Sequence, residues 1–282
     1  MTDTVHQNKS FIYLQLWALG RSANPLQLSK ESDLTHQSLP YISASPLRLS
    51  TSNLSNLAPR ALTPLEISEY VEFYAQAAEN AVHKAGFDGV EIHGANGYLV
   101  DQFLQDVSNI RTDKYGGSVE NRARFALEVL DAVVKRVGPK KVGLRMSPWS
   151  PYQGELIDNL NRMHDYSVIS FADMGMKDPV PTYTYYINQI IQQHPDLAYL
   201  HVVEKRLEFQ ADTFVTEGTE NDFIRELWST HGTDERRLIT AGGYTRETGM
   251  KVSQLKGDLI AYGRLFISNV SFELFFFFFF FM

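Results

Sequence analysis

The stretch His93-Gly94-Ala95-Asn96-Gly97-Tyr98 holds the residue types and spacing in this 282-residue chain that most directly suggest chemistry. His93 and Asn96 can both donate hydrogen bonds toward one point, as polarising a carbonyl oxygen requires. Tyr98, two residues further on, offers a phenol as a proton donor. The competing reading of a single strand histidine is a hydrogen-bonded core group. What sets His93 apart is the glycine-rich break directly after it, because loops at strand ends are where function concentrates. His201, inside LAYLHVVE, has no such break beside it and reads as core.

A second group carries anion chemistry. Gly242-Gly243 and Gly263-Arg264 each follow an apolar run. Glycine lets backbone N–H groups approach an anion, and Arg264 adds a charge-assisted contact, so the two pairs suit a phosphate-bearing cofactor. Either pair taken alone reads better as a simple turn; two pairs after successive strands are what bring in the phosphate reading. Arg145 lies among apolar residues and must face a counter-charge or an electron-rich ligand; a structural ion pair is the alternative. Gln15, inside FIYLQLW, needs an amide partner. A polar, flat heterocycle such as a flavin ring would satisfy Gln15 and Arg145 together, with Trp17 lining the substrate side. There is no GxGxxG or Walker loop, which disfavours a Rossmann dinucleotide domain or an NTPase. No His, Asp or Glu spacing matches a metal site, and zero Cys excludes thiolate metal centres, disulfides and Cys nucleophiles.

The elements that must position these residues alternate between strand and helix. Apolar runs at Phe11–Trp17, Phe87–His93, Lys141–Ser147, Leu197–Glu204, Arg237–Ala241 and Asp258–Gly263 read as six strands. Between them, Thr63-Pro64-Leu65-Glu66 opens a helix with a capping box. Its core face is Ile67, Val71, Tyr74, Ala78, Ala81 and Ala85, and Gly86 stops it. Ser118 opens another helix, with Ala126, Leu130, Val133 and Val137 at core spacing. Further helices are expected at Thr182–Gln193, from Asn221 as cap to Trp228, and at Thr245–Leu255. Arg21–Leu62 is too long for a simple connection, so it is a functional cover or carries short elements of its own. Alternation of this kind means a parallel sheet covered by helices. Because the polar residues cluster after strands, a barrel, whose strand ends converge on one face, is favoured over an open doubly wound sheet.

Composition bounds the partners. Lys plus Arg is 26 against 33 Asp plus Glu, a net charge of −7, which argues against nucleic acid as the main partner. The run Phe275–Phe281 accounts for seven of the 18 Phe. It is shorter than the roughly 20 apolar residues of a membrane span, and as a homopolymer it encodes no helical or strand period. With a polar N-terminus, the expectation is a cytoplasmic protein without membrane contact.

These residues together resemble the old yellow enzyme family of FMN-dependent ene-reductases, most closely its fungal branch. The resemblance rests on FIYLQLWALGR (11–21), AGFDGVEIHGANGYLVDQFLQDVSNIRTDKYGGSVENRARF (85–125), KVGLRMSPWSPYQG (141–154) and LIAYGRLFISN (259–269), and covers most of residues 9–269. It implies an α/β fold of the (β/α)8 TIM barrel family with FMN at its mouth, here an incomplete barrel with about six of eight strands. It implies that NADPH passes hydride to FMN, and reduced FMN to the activated C=C of an α,β-unsaturated carbonyl, a small-molecule enone or enal. By resemblance, His93 and Asn96 hold the substrate carbonyl oxygen and Tyr98 protonates the α-carbon. Gln15 and Arg145 contact the flavin ring. Gly242, Gly243, Gly263 and Arg264 grip the phosphate, and Trp17 is a wall of the substrate pocket.

The family pattern has two strands before the point matching Met1. It has no counterpart of 155–175, and its match ends at Asn269. The expected organisation is a barrel unit over 1–269 with an insert at 155–175, followed by an unmatched tail over 270–282. Insert and tail are read as translated intron, and Met1 as an internal Met. The competing function is a non-catalytic, poorly folded fragment, since six strands leave two sheet edges and an apolar inner face uncovered. A barrel lyase or isomerase using the same phosphate site is a third reading, which the Gln15, Arg145, His93, Asn96 and Tyr98 set disfavours.

Overall fold

The computed structural model describes residues 1–36, 38–49, 57–149, 174–204, 221–230, 236–263, 266–267 and 278–280. Most of the 155–175 insert, most of the tail and Arg264 lie outside these residues.

A parallel sheet organises the chain. Its strands are β1 (Ile12–Leu16), β4 (Gly89–Gly94), β5 (Val142–Met146), β6 (Tyr199–Val203), β7 (Arg237–Ala241) and the short β8 (Leu259–Ile260). They pair in the order β8-β7-β6-β5-β4-β1, and every pairing is parallel. All six lie where the apolar runs placed them, and they form consecutive strands of an α/β barrel that is incomplete among the described residues. A seventh strand, β9 (Phe278–Phe280), pairs parallel with β1 at its other edge. The Phe run carries no side-chain period, as expected, yet three of its residues pair. Pairing needs only backbone N–H and C=O groups, and an unpaired edge presents them in a row.

The helices follow their caps. Helix α3 (Pro64–Glu79) starts in the expected capping box: Thr63 Oγ1 accepts from the Glu66 N–H at 3.3 Å, and Glu66 Oε2 accepts from the Thr63 N–H at 2.9 Å. It then widens into a π turn over Asn80–Lys84 before Gly86 at φ +76°. The extra residue of that turn rotates the end of the helix out of phase, so Ala85 is exposed and not on the core face. Helix α5 (Val119–Val137) is capped by Ser118, and buries Ala126, Leu130, Val133 and Val137 as expected. Helices α6 (Val180–Gln193), α7 (Asp222–Thr230) and α8 (Arg246–Lys256) complete the layer. At α7 the cap expectation is corrected. Asn221 turns its amide nitrogen back to the Val203 carbonyl (3.2 Å) and Glu204 Oε2 (2.8 Å), so its side chain ties the helix to β6. The long Arg21–Leu62 connection is partly ordered by its own elements: α2 (Pro25–Thr35), β2 (Ile42–Ser43) and β3 (Arg60–Ala61). A short helix, α1 (Thr2–Gln7), precedes β1, and another, α4 (Leu99–Leu104), follows β4. One apolar core runs between the sheet and α3, α5 and α6, built from residues such as Ile67, Val90, Ile92, Leu130, Leu144 and Ile187.

Candidate active site

Because the six strands are parallel, their C-terminal ends share one edge, and the polar strand ends gather there. Residues two apart face the same side of a strand, so Gln15, Glu91, His93, Arg145 and His201 project from one face. Pairing register sets their depth. His93 is level with Arg145, and Arg145 with His201. Gln15 is level with Glu91, two residues deeper along the strands.

The upper level is a ring cluster. Trp17, just past the end of β1, stacks on His93 with centroids 6.2 Å apart and planes at 23°. Tyr98 meets both edge-on, at 4.7 Å from Trp17 and 4.8 Å from His93. Trp17 is 42% exposed and His93 3%, so the cluster runs from solvent into the sheet. Burial first, then the Arg145 charge, push His93 down to about 3; its imidazole is neutral at ordinary pH. Its Nδ1 accepts from the Ala95 N–H at 3.3 Å. A neutral imidazole with an accepting Nδ1 carries its proton on Nε2, so His93 offers one fixed donor.

Asn96 and Tyr98 are placed by a tightly held loop. Asn96 adopts φ +56° and Gly97 φ +73°, two successive left-handed residues that need outside support. The Asn96 N–H donates to Ser147 Oγ at 2.8 Å, which ties the loop to the end of β5. Both polar groups of Gly97 are captured by α4. Its N–H donates to Asp101 Oδ2 at 2.9 Å, and its carbonyl accepts from Gln102 Nε2 at 2.7 Å. Gln102 Nε2 also reaches the Leu19 carbonyl, and its Oε1 accepts from the Arg21 N–H and Ser43 Oγ. One buried amide thus joins the loops after β1 and β4.

A buried polar chain runs from the lower level, Gln15 and Glu91, up to His201. Gln15 Nε2 donates to Glu91 Oε1 at 2.6 Å, and Glu91 Oε2 lies 2.9 Å from His201 Nδ1. Burial pushes the Glu91 carboxyl up. His201, Arg145 and Gln15 outweigh burial and hold it below the usual carboxylate range. Burial, aided by Arg145, lowers His201 against the pull of Glu91. An anionic carboxylate facing a neutral imidazole makes Nδ1–H the donor. At the level of Glu91, the Tyr199 ring crosses Gly143, where an added Cβ would come within 2.1 Å of it. The Tyr13 ring covers Gly89 in the same way and meets Tyr199 at 5.6 Å.

The glycine pairs are partly explained by local geometry. Gly242 packs where a Cβ would meet the Glu204 Cβ at 3.1 Å, and Gly243 sits at φ +70°. Gly263 faces open space and starts a helical turn, its carbonyl accepting from the N–H groups of Phe266 and Ile267. All three follow β7 and β8 on the same edge as His93 and Arg145. The donor set along that edge suits a flavin mononucleotide: a buried guanidinium and an amide for a polar ring, and glycine backbone where no side chain blocks an anion.

Sequence reasoning missed Glu91, Asp101 and Gln102. For Glu91 a signal existed, since Glu91 and His93 alternate in VEIH and so share a face. His201 is core by burial, as expected, but it belongs to the polar chain. The residues of RTDKYGGS–NRARF order the loop around the site. Arg111 pairs with Asp113 and donates to the Ala44 and Leu62 carbonyls, and Arg122 donates to the Leu104 carbonyl and Thr182. Among the described residues, no group of three or more His, Asp or Glu could hold a metal ion, and no helix is long and apolar enough to cross a membrane.

Comparison with known proteins agrees with this architecture. The sequence pattern of the NADH:flavin oxidoreductase / NADH oxidase family matches residues 1–274. The chain is 42% identical over 275 residues to a chanoclavine-I aldehyde reductase of Penicillium roqueforti, covering 95% of this chain and 64% of that protein. It is 40% identical, with the same coverage, to a probable inactive dehydrogenase of Claviceps purpurea. The crystal structure of Old Yellow Enzyme from Pichia sp. AKU4542 superposes with a TM-score of 0.74 at 32% identity, over 96% of this chain and 63% of that one. The chain therefore spans just under two thirds of the length of these relatives, and the resemblance to the old yellow enzymes holds in both sequence and fold.

Proposed function

Because the chain belongs to the NADH:flavin oxidoreductase / NADH oxidase family, we propose that it serves an FMN-dependent oxidoreductase of the old yellow enzyme type, with NADPH as donor and the activated C=C of an enone or enal as acceptor. Bound FMN would supply the hydride relay between the two. The organisation proposed is one barrel unit over residues 1–269, interrupted at 155–175 and followed by the segment 270–282.

The residues divide the remaining work. Gln15 and Arg145 would hold the flavin ring, and Gly242, Gly243, Gly263 and Arg264 its phosphate. His93 Nε2–H, with the Asn96 amide, would hold the substrate carbonyl oxygen. Charge gathers on that oxygen as hydride adds to the β-carbon, so donors fixed in advance count most in the transition state. Tyr98 would deliver the proton to the α-carbon, and Trp17 would shield the substrate from water. The observation that carries this reading is the neutral, singly oriented imidazole of His93 packed against Trp17 and Tyr98. A charged imidazolium would bind anions; a neutral one with a single free donor suits a carbonyl.

A non-catalytic chain is the second reading. In its favour, the sheet ends at β8 and β9, which do not pair with each other among the described residues. Purification and a visible spectrum separate the two. A yellow protein with stoichiometric FMN, reduced by NADPH and reoxidised by an enone, establishes the enzyme. A colourless protein that takes up no added FMN establishes the other.

A further inference from the structure

We infer that Glu91 is a positioning residue of the flavin site, fixing the Gln15 amide and balancing the Arg145 charge from one level below the mouth. The inference rests on the flavin reading above and adds a residue to it.

Each carboxylate oxygen is committed: Oε1 to Gln15 Nε2 at 2.6 Å and Oε2 to His201 Nδ1 at 2.9 Å. The side chain is fully buried. An ionised carboxylate only accepts, so the atom of Gln15 facing it is the amide nitrogen. The Gln15 oxygen is thereby left as an acceptor, in one orientation out of two. Without Glu91 the amide could flip and present donors instead.

Charge is the second part. Arg145 is buried on the same face, and Glu91 is the strongest opposite charge acting on it. Buried charges need partners, and with His201 neutral the Glu91 and Arg145 charges cancel. Glu91 and His201 lie on strands either side of β5; at the level of Glu91, β5 carries Gly143, over which the Tyr199 ring lies, and His201 stands one level above, beside Arg145. The proposed chemistry uses Glu91 for neither substrate contact nor proton transfer, so burying it here requires another reason. Fixing an amide and a guanidinium that face the ring supplies one.

The test compares the wild-type chain with Glu91→Gln and Glu91→Asp. Reconstitution with FMN gives the dissociation constant by fluorescence quenching and the midpoint potential by dye-coupled photoreduction. Glu91→Gln keeps the shape and removes the charge. It should shift the potential upward, since the Arg145 charge then favours the more negative, reduced flavin. Glu91→Asp keeps the charge and shortens the reach. It should leave the potential near wild type and weaken FMN binding at least fivefold. Unchanged affinity and potential in both variants, even with a lower melting temperature, would overturn the inference and mark a purely structural pair. If the wild type takes up no FMN, the flavin reading itself fails. Hydrogen exchange of the Gln15 side-chain amide, read by NMR in the apo chain, then decides. Slower exchange in wild type than in Glu91→Asp upholds the fixing of the Gln15 amide by Glu91 apart from any flavin, and equal exchange overturns it.

Discussion

Asp101 Oδ2 accepts the backbone N–H of Gly97 at 2.9 Å, from a side chain with no solvent exposure. Together with the bonds made by Ser147 and Gln102, this bond holds the turn that carries Asn96 and Tyr98. Oδ1 meanwhile accepts from Gln105 Nε2 at 3.0 Å and the Tyr183 hydroxyl at 3.1 Å. Burial outweighs these bonds and pushes the Asp101 carboxyl up to about 6 from an ordinary 3.8. Between those values the folded state binds a proton that the unfolded chain releases, so stability falls as pH rises. At neutral pH the deficit is on the order of 3 kcal/mol. Asp101→Asn cannot ionise and should lack this component. Urea unfolding at intervals from pH 4 to 7 should show a less negative slope for the variant than for wild type.

His93 should stay neutral through the working range of an enzyme. Its folded value of about 3 lies below the ordinary 6.5, so the unfolded chain binds the extra proton between them. Its contribution to stability is present above pH 6.5 and is lost as pH falls toward 3. NMR of the imidazole should show the Nε2–H tautomer and no titration from pH 5 to 8. A midpoint inside that window contradicts the burial argument.

Gly143→Ala should destabilise by about 1–3 kcal/mol through overpacking. The new Cβ would fall 2.1 Å from the Tyr199 ring, and a ring cannot yield as a flexible chain end does. Tyr199→Ala should also destabilise, through a cavity. The double variant should be more stable than the sum of the two losses implies, because the clash disappears. Thermal unfolding of all four proteins measures the coupling.

Arg225 ties α7 to β8. Its guanidinium bonds to Asp258, which is 2% exposed, and also meets Glu204 and Asp222. Arg225→Met leaves the Asp258 carboxylate buried without its partner, at a cost of about 3–5 kcal/mol. Because Asp258 starts the segment leading to Gly263, FMN uptake should weaken along with stability. Melting temperature and FMN titration together check this. A loss of stability with unchanged FMN uptake would separate β8 from the phosphate contact.

The fold was largely legible because its signals are local. The Thr63 and Ser118 caps and the six apolar runs each depend on neighbours within a few residues, and each element formed where those signals placed it. Ala85 slipped from the core because a π turn shifts phase without a mark in the hydrophobic spacing. Asn221 stands where a cap belongs, but Glu204, 17 residues away in sequence, takes its amide. The Phe run carries no side-chain period that could mark a strand, whereas backbone pairing of Phe278–Phe280 to β1 needs none.

The chemistry at single positions was therefore determined by the sequence: a histidine and an asparagine at the break after one strand, a guanidinium inside another, glycines after two more. Their relation to one another was decided only by the tertiary structure. Glu91 and His201 are 110 residues apart, and they meet because the register of β4, β5 and β6 brings them onto one face, one level apart. Trp17, His93 and Tyr98 form one cluster because β1 pairs with β4. Register is set by hydrogen bonding between whole strands, which spacing along a single strand does not encode.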